Sequence, residues 1–457
     1  MDEMNYVSLS LLQEWILERR AVKLRELFDE YHVVDMAALV NELSVHEILV
    51  LFKILRKDVT GEVFTYLEQD KKEELIQAFS GPEIREILEN LYADDIVDFM
   101  EEMPANLTKK VLASATEQTR TEINWLLSFP EDSAGSIMST DFVELKVTDT
   151  VEQAIRKIKR QGKMAETINT CYVIDAKREL VGSIRLREFL FENRDEKISD
   201  IMATDVVSVT ITDDQEEVVD VIQKYDITVV PVVNNENRLI GIITVDDIID
   251  ILEEEATEDI HLMAGITPIE ESYLEASVLS IVKSRLPWLL ILMISGAFTG
   301  AIMAGFEESL MVIPALSGFI PMIMGTAGNA GSQASTMVIR GIAVDGLETK
   351  DILKVMKKEL GIALICSAVL FVVNFAKISL FPSDLVLLSN VTSVALTVSL
   401  SVILALTCSK LLGGLLPLVV YALKLDPASV ASPVITTVID ALSLLIYFVI
   451  AMFFLGL

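Results

Sequence analysis

The sequence predicts a multidomain chain: an all-α helical array, an α+β unit that occurs twice, an acidic connecting helix, and an α-helical bundle of five membrane spans. Three observations carry this reading. The 457 residues hold 37 Lys+Arg against 68 Asp+Glu, a net charge of −31, and from Leu286 onward there are only 9 acidic and 8 basic residues. The chain is therefore two objects, an acidic half and a nearly neutral, apolar half. Five apolar stretches crowd the second half, near 286–306, 310–338, 360–381, 391–420 and 430–456. Each supplies the ~20 residues that a spanning helix needs. Between 135 and 252 two segments share one design, which signals a repeated fold unit.

Residues 1–132 read as helices. "LLQEWILERR", "MAALVNELS", "EILVLFKILR" and "IREILENLYADDIVDFMEEMP" repeat apolar residues at three- and four-residue spacing. Amphipathic helices of this length stack into an array, usually for interaction rather than chemistry. In the region 133–250, "SIMSTDFVELKVTDTVEQAI" with "CYVIDAKRELVGSIRLREFL" is answered by "DIMATDVVSVTITDDQEEVV" with "VVPVVNNENRLIGIITVDDII". Met138 and Met202 are 64 residues apart, Gly182 and Gly241 59 apart. Each unit reads strand, helix, strand, turn, strand, helix. The pair resembles tandem cystathionine-β-synthase-type (CBS) domains, most specifically through "TVVPVVNNENRLIGIITVDDI". That resemblance implies a regulatory module that dimerises and often binds adenine nucleotides such as ATP. Residues 251–284 continue as an acidic helix, "ILEEEATEDIHLMAG", and a linker ending "VKSRLPW". The membrane domain fills 285–457.

The acidic half repels nucleic acid and anionic lipid and attracts divalent cations. Three cysteines, two of them (Cys366 and Cys408) in apolar runs, exclude a disulfide scaffold and a Cys/His zinc cluster. The start, "MDEMNYVSLS", has no apolar signal region, so the first half is expected in the cytosol. Basic residues orient the spans. The first turn has Glu307 and Glu308 and no Lys or Arg. The second loop has Arg340, Lys350, Lys354, Lys357 and Lys358; the third turn has Lys377, the fourth Lys410 and Lys424. The positive-inside rule then puts the N-terminus and the second and fourth loops in the cytosol and the C-terminus outside. No "GxxxxGK[ST]" run suggests an ATPase.

The last span, "SPVITTVIDALSLLIYFVIAMFF", contains Asp440 and no basic residue. An aspartate at the centre of a membrane helix costs ~2.5–3.5 kcal/mol. Counted from Ala428 it lies ~18 Å along the helix, near the midplane. Thr436, Thr437 and Ser443 make one face polar, and Pro433 can free a carbonyl. Every Lys and Arg of this half is expected near a loop, which leaves no counter-ion. The carboxyl group stays protonated against a threonine, finds another hydrogen bond, or holds a metal ion. The second span, "GFIPMIMGTAGNAGSQASTMVIRG", reads as a broken helix: Pro321, Gly325, Gly328 and Gly331 make it breakable, and Asn329, Ser332, Gln333, Ser335 and Thr336 make it polar. Such backbone survives at membrane depth only where it lines protein or water. Close packing through small residues accounts for the glycines but not for Asn329 and Gln333. These features point to a path for ions. Oxygen-only donors favour a hard cation, and one carboxylate from each chain of a symmetric dimer suits a magnesium ion that keeps its water.

"GTAGNAGSQASTMVIRGIA", "DPASVASPVITTVIDALSLLIYF" and "VDDIIDILEEEATEDIH" resemble the MgtE family of magnesium channels and transporters over the whole chain. The resemblance implies a homodimer in a bacterial-type cytoplasmic membrane, a pore on the dimer axis, Asp440 of each chain at the central ion site, and Asp426 at the cytosolic mouth. It also implies regulatory Mg2+ sites. They draw on Glu62, Asp94 and Asp98 of the helical domain, Asp214, Glu216 and Asp226 of the second CBS unit, and Asp247, Asp250, Glu255, Glu258 and Asp259 of the connecting helix. On that helix Asp247, Asp250, Glu254 and Glu258 share a face, where like charges repel. Asn329, Gln333 and Thr436 are expected to line the pore. The expected function is a non-enzymatic Mg2+ channel or uniporter, closed by cytosolic Mg2+. A cation-coupled exchanger driven by Na+ or H+ is the alternative, and a nucleotide-sensing receptor the remoter one.

Overall fold

The computed structural model describes residues 8–101, 103–269, 273–274, 276–307, 311, 313–381, 390–430 and 432–455. Glu308 and the C-terminal Gly456 and Leu457 lie outside them. The chain forms two compact units, Met1–Glu253 and Glu254–Leu457.

In the first unit ten short helices run from α1 (Leu9–Leu17) to α10 (Glu117–Leu126). Their starts are fixed by capping: Ser44 and Glu47 form one capping box, Ser80 and Glu83 another. Side chains tie the array across turns. Lys110 Nζ donates to the Ile76 and Gln77 carbonyls at 2.7 and 2.9 Å. Each helix buries one apolar stripe, and the shared core continues into the second CBS unit through Ala134, Met138, Val209, Val232 and Ile248.

Two three-stranded sheets follow. The first holds β1 (Phe142–Lys146), β2 (Thr167–Ile174) and β3 (Leu180–Arg185); the second holds β4 (Val209–Thr210), β5 (Val229–Val233) and β6 (Leu239–Thr244). In each, the first pair is parallel and the second antiparallel. The parallel pairs are joined by α11 (Val151–Gln161) and α13 (Gln215–Tyr225). The 64- and 59-residue repeats have a packing cause. Met202, which precedes the second unit, lies against Gly182 of the first, and Met138, which precedes the first, lies against Gly241 of the second. Any side chain at either glycine would strike the methionine. The Tyr172 hydroxyl donates to the Val229 carbonyl at 2.9 Å between the units. The first unit closes on a 3-10 turn, Leu186–Leu190, in place of the expected helix; a four-residue helix, α12 (Ile198–Ile201), follows. The second closes on α14 (Val245–Met263).

The second unit contains α15 (Val278–Gly305), a 3-10 turn (Pro314–Phe319), α16 (Ile320–Ala343), α17 (Ile352–Leu380), α18 (Val391–Ala422) and α19 (Ser432–Leu455). Among the described residues four helices are long and apolar enough to cross a membrane: those of α15, α17, α18 and α19. The fifth expected span, α16, is ~36 Å long at 1.5 Å per residue but too polar to qualify on composition. Nor is it broken. Pro321 sits in its first turn, where a missing N–H costs nothing, and the helix runs on through Gly325, Gly328 and Gly331. Gly328 and Gly331 serve close approach instead, while Gly325 faces open space. Gly331 packs backbone to backbone on Gly413 of α18, and Ser409 Oγ donates to the Ala327 carbonyl. The central helix is α18, which touches α16, α17 and α19. The core there is Leu316, Ile323, Val394, Val398, Ile439, Tyr447 and Phe448.

Candidate cation sites

In the first unit, carboxylates distant in sequence meet. Asp94 and Asp95 stand in the first turn of α8 (Ala93–Glu101), where the helix dipole favours anions. Burial raises the Asp94 carboxyl well above the usual range, and Glu166, Asp247 and Asp95 add to the rise. Its Oδ1 is buried with no hydrogen-bond partner among the described residues. Burial, then Asp247, Asp95, Asp246 and Asp141, push Glu166 up to about 8. Asp95 rises to about 6 through burial and Asp247, with Lys72 opposing. Asp141 also rises to about 6, through burial and Glu122.

Burial likewise raises Asp98, Asp247 and Asp250. Thr244 steadies Asp247 by donating its hydroxyl to Oδ2 at 2.7 Å. Glu62 is exposed on α5 (Lys57–Thr65), and its charge reaches Tyr66 together with those of Asp95, Asp246 and Asp250. The donors are oxygen only, the type a hard cation takes, and one buried oxygen lacks a hydrogen-bond partner among the described residues. Among the described residues no three Asp, Glu, His or Cys side chains form a closed metal cage.

In the second CBS unit the expected ligands divide between the two ends of α13. Asp214 caps α13 and accepts the Glu216 N–H at 3.0 Å. Asp226 ends the same helix in a left-handed conformation with φ of 49°. Asp214 and Glu216 therefore sit a helix length from Asp226.

In the second unit the end of α14 meets the loop after α18. Burial, then Asp426 and Glu255, raise Asp259 to about 6. Asp426 itself accepts the Ala428 and Ser429 N–H groups at 2.8 and 2.9 Å, so part of its capacity goes to capping the next turn. Glu258 lies one residue before Asp259 on α14, and like Glu255 it has an interaction of its own. His261 Nδ1, further along the helix, is buried without a hydrogen-bond partner among the described residues.

Asp440 is the ninth residue of α19, ~12 Å from its start. The helix begins at Ser432, not Ala428, so the carboxylate sits a third of the way along rather than halfway. A Cβ built on Gly328 would lie 3.4 Å from Asp440 Oδ1 and 3.5 Å from Thr436 Cγ2. One turn along, Ser332 Oγ and Thr436 Oγ1 are 3.4 Å apart. These pairs make a polar seam between α16 and α19. Ser443 donates to the Asp440 backbone carbonyl at 3.0 Å and not to its carboxylate. Asn329, Gln333 and Thr336 are exposed along α16.

Lys410 corrects the sequence reading. It lies inside α18, not in a loop, and pairs with buried Glu359 of α17 at 3.9 Å. Among the described residues, no Lys or Arg forms an ion pair with Asp440.

An acidic soluble unit joined to apolar helices that carry an uncompensated carboxylate defines a membrane transport protein for cations. Comparison with known proteins agrees. The divalent cation transporter MgtE model matches residues 320–450, the MgtE intracellular N domain residues 31–132, and the CBS domain residues 134–194 and 198–254. The magnesium transporter MgtE of Thermus thermophilus is 35% identical over 444 residues, 96% of this chain and 97% of that one. The magnesium transporter MgtE of Bacillus subtilis is 34% identical over 432 residues, 93% of each chain. A crystal structure of the soluble part of a magnesium transporter, 32% identical, covers 54% of this chain and 98% of its own, with a TM-score of 0.52. The chain belongs to the MgtE family of magnesium transporters.

Proposed function

We propose that the chain conducts Mg2+ inward as a homodimeric channel or uniporter of the cytoplasmic membrane, and that cytosolic Mg2+ closes it. It is not an enzyme in this reading. The observation that carries the proposal is Asp440: a half-buried carboxylate in a membrane helix with no ion-pair partner and no side-chain donor among the described residues. A carboxylate in that position is stabilised by water or by a passing cation. The exposed stripe of Asn329, Gln333 and Thr336 supports a second copy across a wet path, because lipid does not satisfy those groups. The membrane potential supplies the driving force. A divalent ion gains ~4.6 kcal/mol in crossing 100 mV, twice the ~2.3 of a unit charge.

Closure rests on the acidic patch. With little free Mg2+, Asp94, Asp95, Glu166 and Asp247 oppose one another's ionisation, and the helical domain, CBS pair and α14 loosen. With more, ions with their water bridge pairs of these carboxylates, while Asp259 and Asp426 take another at the loop after α18. Asp98, Asp250, Glu62, Asp214, Glu216, Asp226, Glu255 and Glu258 extend the acidic surface. The CBS pair belongs to a class of module that often binds adenine nucleotides such as ATP.

The test is Mg2+ influx into liposomes holding the full chain, with and without Na+ and H+ gradients. Wild-type influx driven by voltage alone, and lost in Asp440→Ala with the assembly intact, is the expected result. Near-normal influx in the variant would remove Asp440 from the mechanism, and influx that needs a Na+ or H+ gradient would replace the channel by the exchanger.

A further inference from the structure

Two charged side chains in the membrane half belong to none of the sites above. Glu359 is the eighth residue of α17, and Lys410 lies twelve residues before the end of α18. Their side chains are 9% and 8% exposed, and Lys410 Nζ stands 3.9 Å from Glu359 Oε2. That oxygen has no hydrogen-bond partner among the described residues. The separation is a charge contact, longer than the ~2.7–3.2 Å of an N–H···O hydrogen bond.

A buried pair held by charge alone stabilises little, because desolvation offsets most of the attraction and apolar side chains of the same volume would pack as well. What it does supply is registry. Only one alignment of α17 along α18 brings the two charges together, and every other alignment leaves both unpaired in an apolar interface. The same turn of α18 carries two glycines. At Gly414 a Cβ would stand 3.1 Å from Glu359 Cγ, so the bare backbone lets α17 approach. Gly413 lies directly on the backbone of Gly331 in α16, the helix that bears Asn329 and Gln333. One turn of α18 thus takes its height from Glu359 and passes it to α16.

We infer that Glu359 and Lys410 are positioning residues for conduction: their pairing sets the height of α18, and through Gly413 and Gly331 it sets the height of the polar stripe on α16 against Asp440. The inference rests on the proposed Mg2+ conduction, and wild-type vesicles in the same preparation test that reading separately.

The experiment measures Mg2+ influx into liposomes with full-length Glu359→Gln, Lys410→Met, the charge swap E359K/K410E, and wild type. Each single variant is expected to lose about tenfold or more of maximal flux, ~1.4 kcal/mol of population shift, with half-saturating Mg2+ changed by less than about twofold. The swap is expected to recover most of the loss. A single variant with wild-type maximal flux overturns the inference, and so does a swap no better than the singles. A rise in half-saturating Mg2+ at unchanged maximal flux overturns it too, since it would place the pair at an ion site. Removing one partner leaves a buried charge that can block folding, so the uncharged double variant E359Q/K410M is the control. Assembly with low maximal flux supports registry, and full flux overturns it.

Discussion

Replacing Glu166 by Gln removes an ionisable group from the acidic patch and leaves its volume in place. Burial, and then Asp247, Asp95, Asp246 and Asp141, push this carboxyl from 4.5 up to about 8. A carboxyl raised in the folded state favours folding while protonated and opposes it when ionised. Its contribution is intact below the unfolded value near 4.5 and is lost as pH rises toward 8. At pH 7 the folded unit holds the proton across about 2.5 pH units, ~3.4 kcal/mol at ~1.36 per unit, and solvent screening at this half-buried site reduces that to ~1.5–2 kcal/mol. Glu166→Gln removes the penalty. In metal-free buffer at pH 7 the variant of Met1–Glu253 should melt roughly 3–8 °C above wild type, at ~2–4 °C per kcal/mol for a unit of this size. The gap should close toward pH 4.5 and widen toward pH 8. Saturating Mg2+ should narrow it, because the ion neutralises the wild-type patch and gives the variant less. Scanning calorimetry across this pH range, with EDTA and with Mg2+, reads all three effects. An equal or lower midpoint for the variant at pH 7 in EDTA, or a gap that ignores pH, would refute the electrostatic account.

Neutralising Asp94, Asp98, Asp247 and Asp250 together should leave the channel open at high cytosolic Mg2+, because the bridges that close it are gone; closure at the wild-type Mg2+ concentration, measured by vesicle flux, would count against the gating scheme. The first unit should become more compact and more protease-resistant as Mg2+ is added, cooperatively and to saturation. Each carboxylate pair at ~4 Å costs ~1 kcal/mol in water and ~4 at an effective dielectric of 20, and a bridging ion reverses the sign. Small-angle scattering and limited proteolysis test this, and equal compaction by K+ at matched ionic strength would reduce the patch to a solvated face.

The periodicities were readable because packing sets them: helix spacing in the array, and the Met138/Met202 and Gly182/Gly241 repeats that the crossed methionine contacts explain. Asp440 was readable because a lone charge in an apolar run is costly. Glu166 and Asp141 were not. Each is one acid among 68, and only the fold carries Glu166 to Asp94 and Asp247 and Asp141 to Glu166. Lys410 looked like a loop residue because its partner, Glu359, lies 51 positions away on another helix. Gly331 of α16 reads as a break because sequence shows its freedom but not the neighbour, Gly413, that needs its lack of a side chain. Asp426 was marked as a ligand, while part of its hydrogen-bonding capacity belongs to the turn that follows it.

In this mechanism Mg2+ on the side of the acidic domains shuts its own entry. The direct measurement is unidirectional Mg2+ flux through the full-length protein in oriented liposomes at fixed voltage, with Mg2+ varied only on the face that carries the soluble domains. Flux is expected to fall steeply and saturably as that concentration rises, and not to fall when K+ replaces Mg2+ at equal ionic strength. Flux that stays constant across the titration, or that K+ suppresses equally, would contradict it.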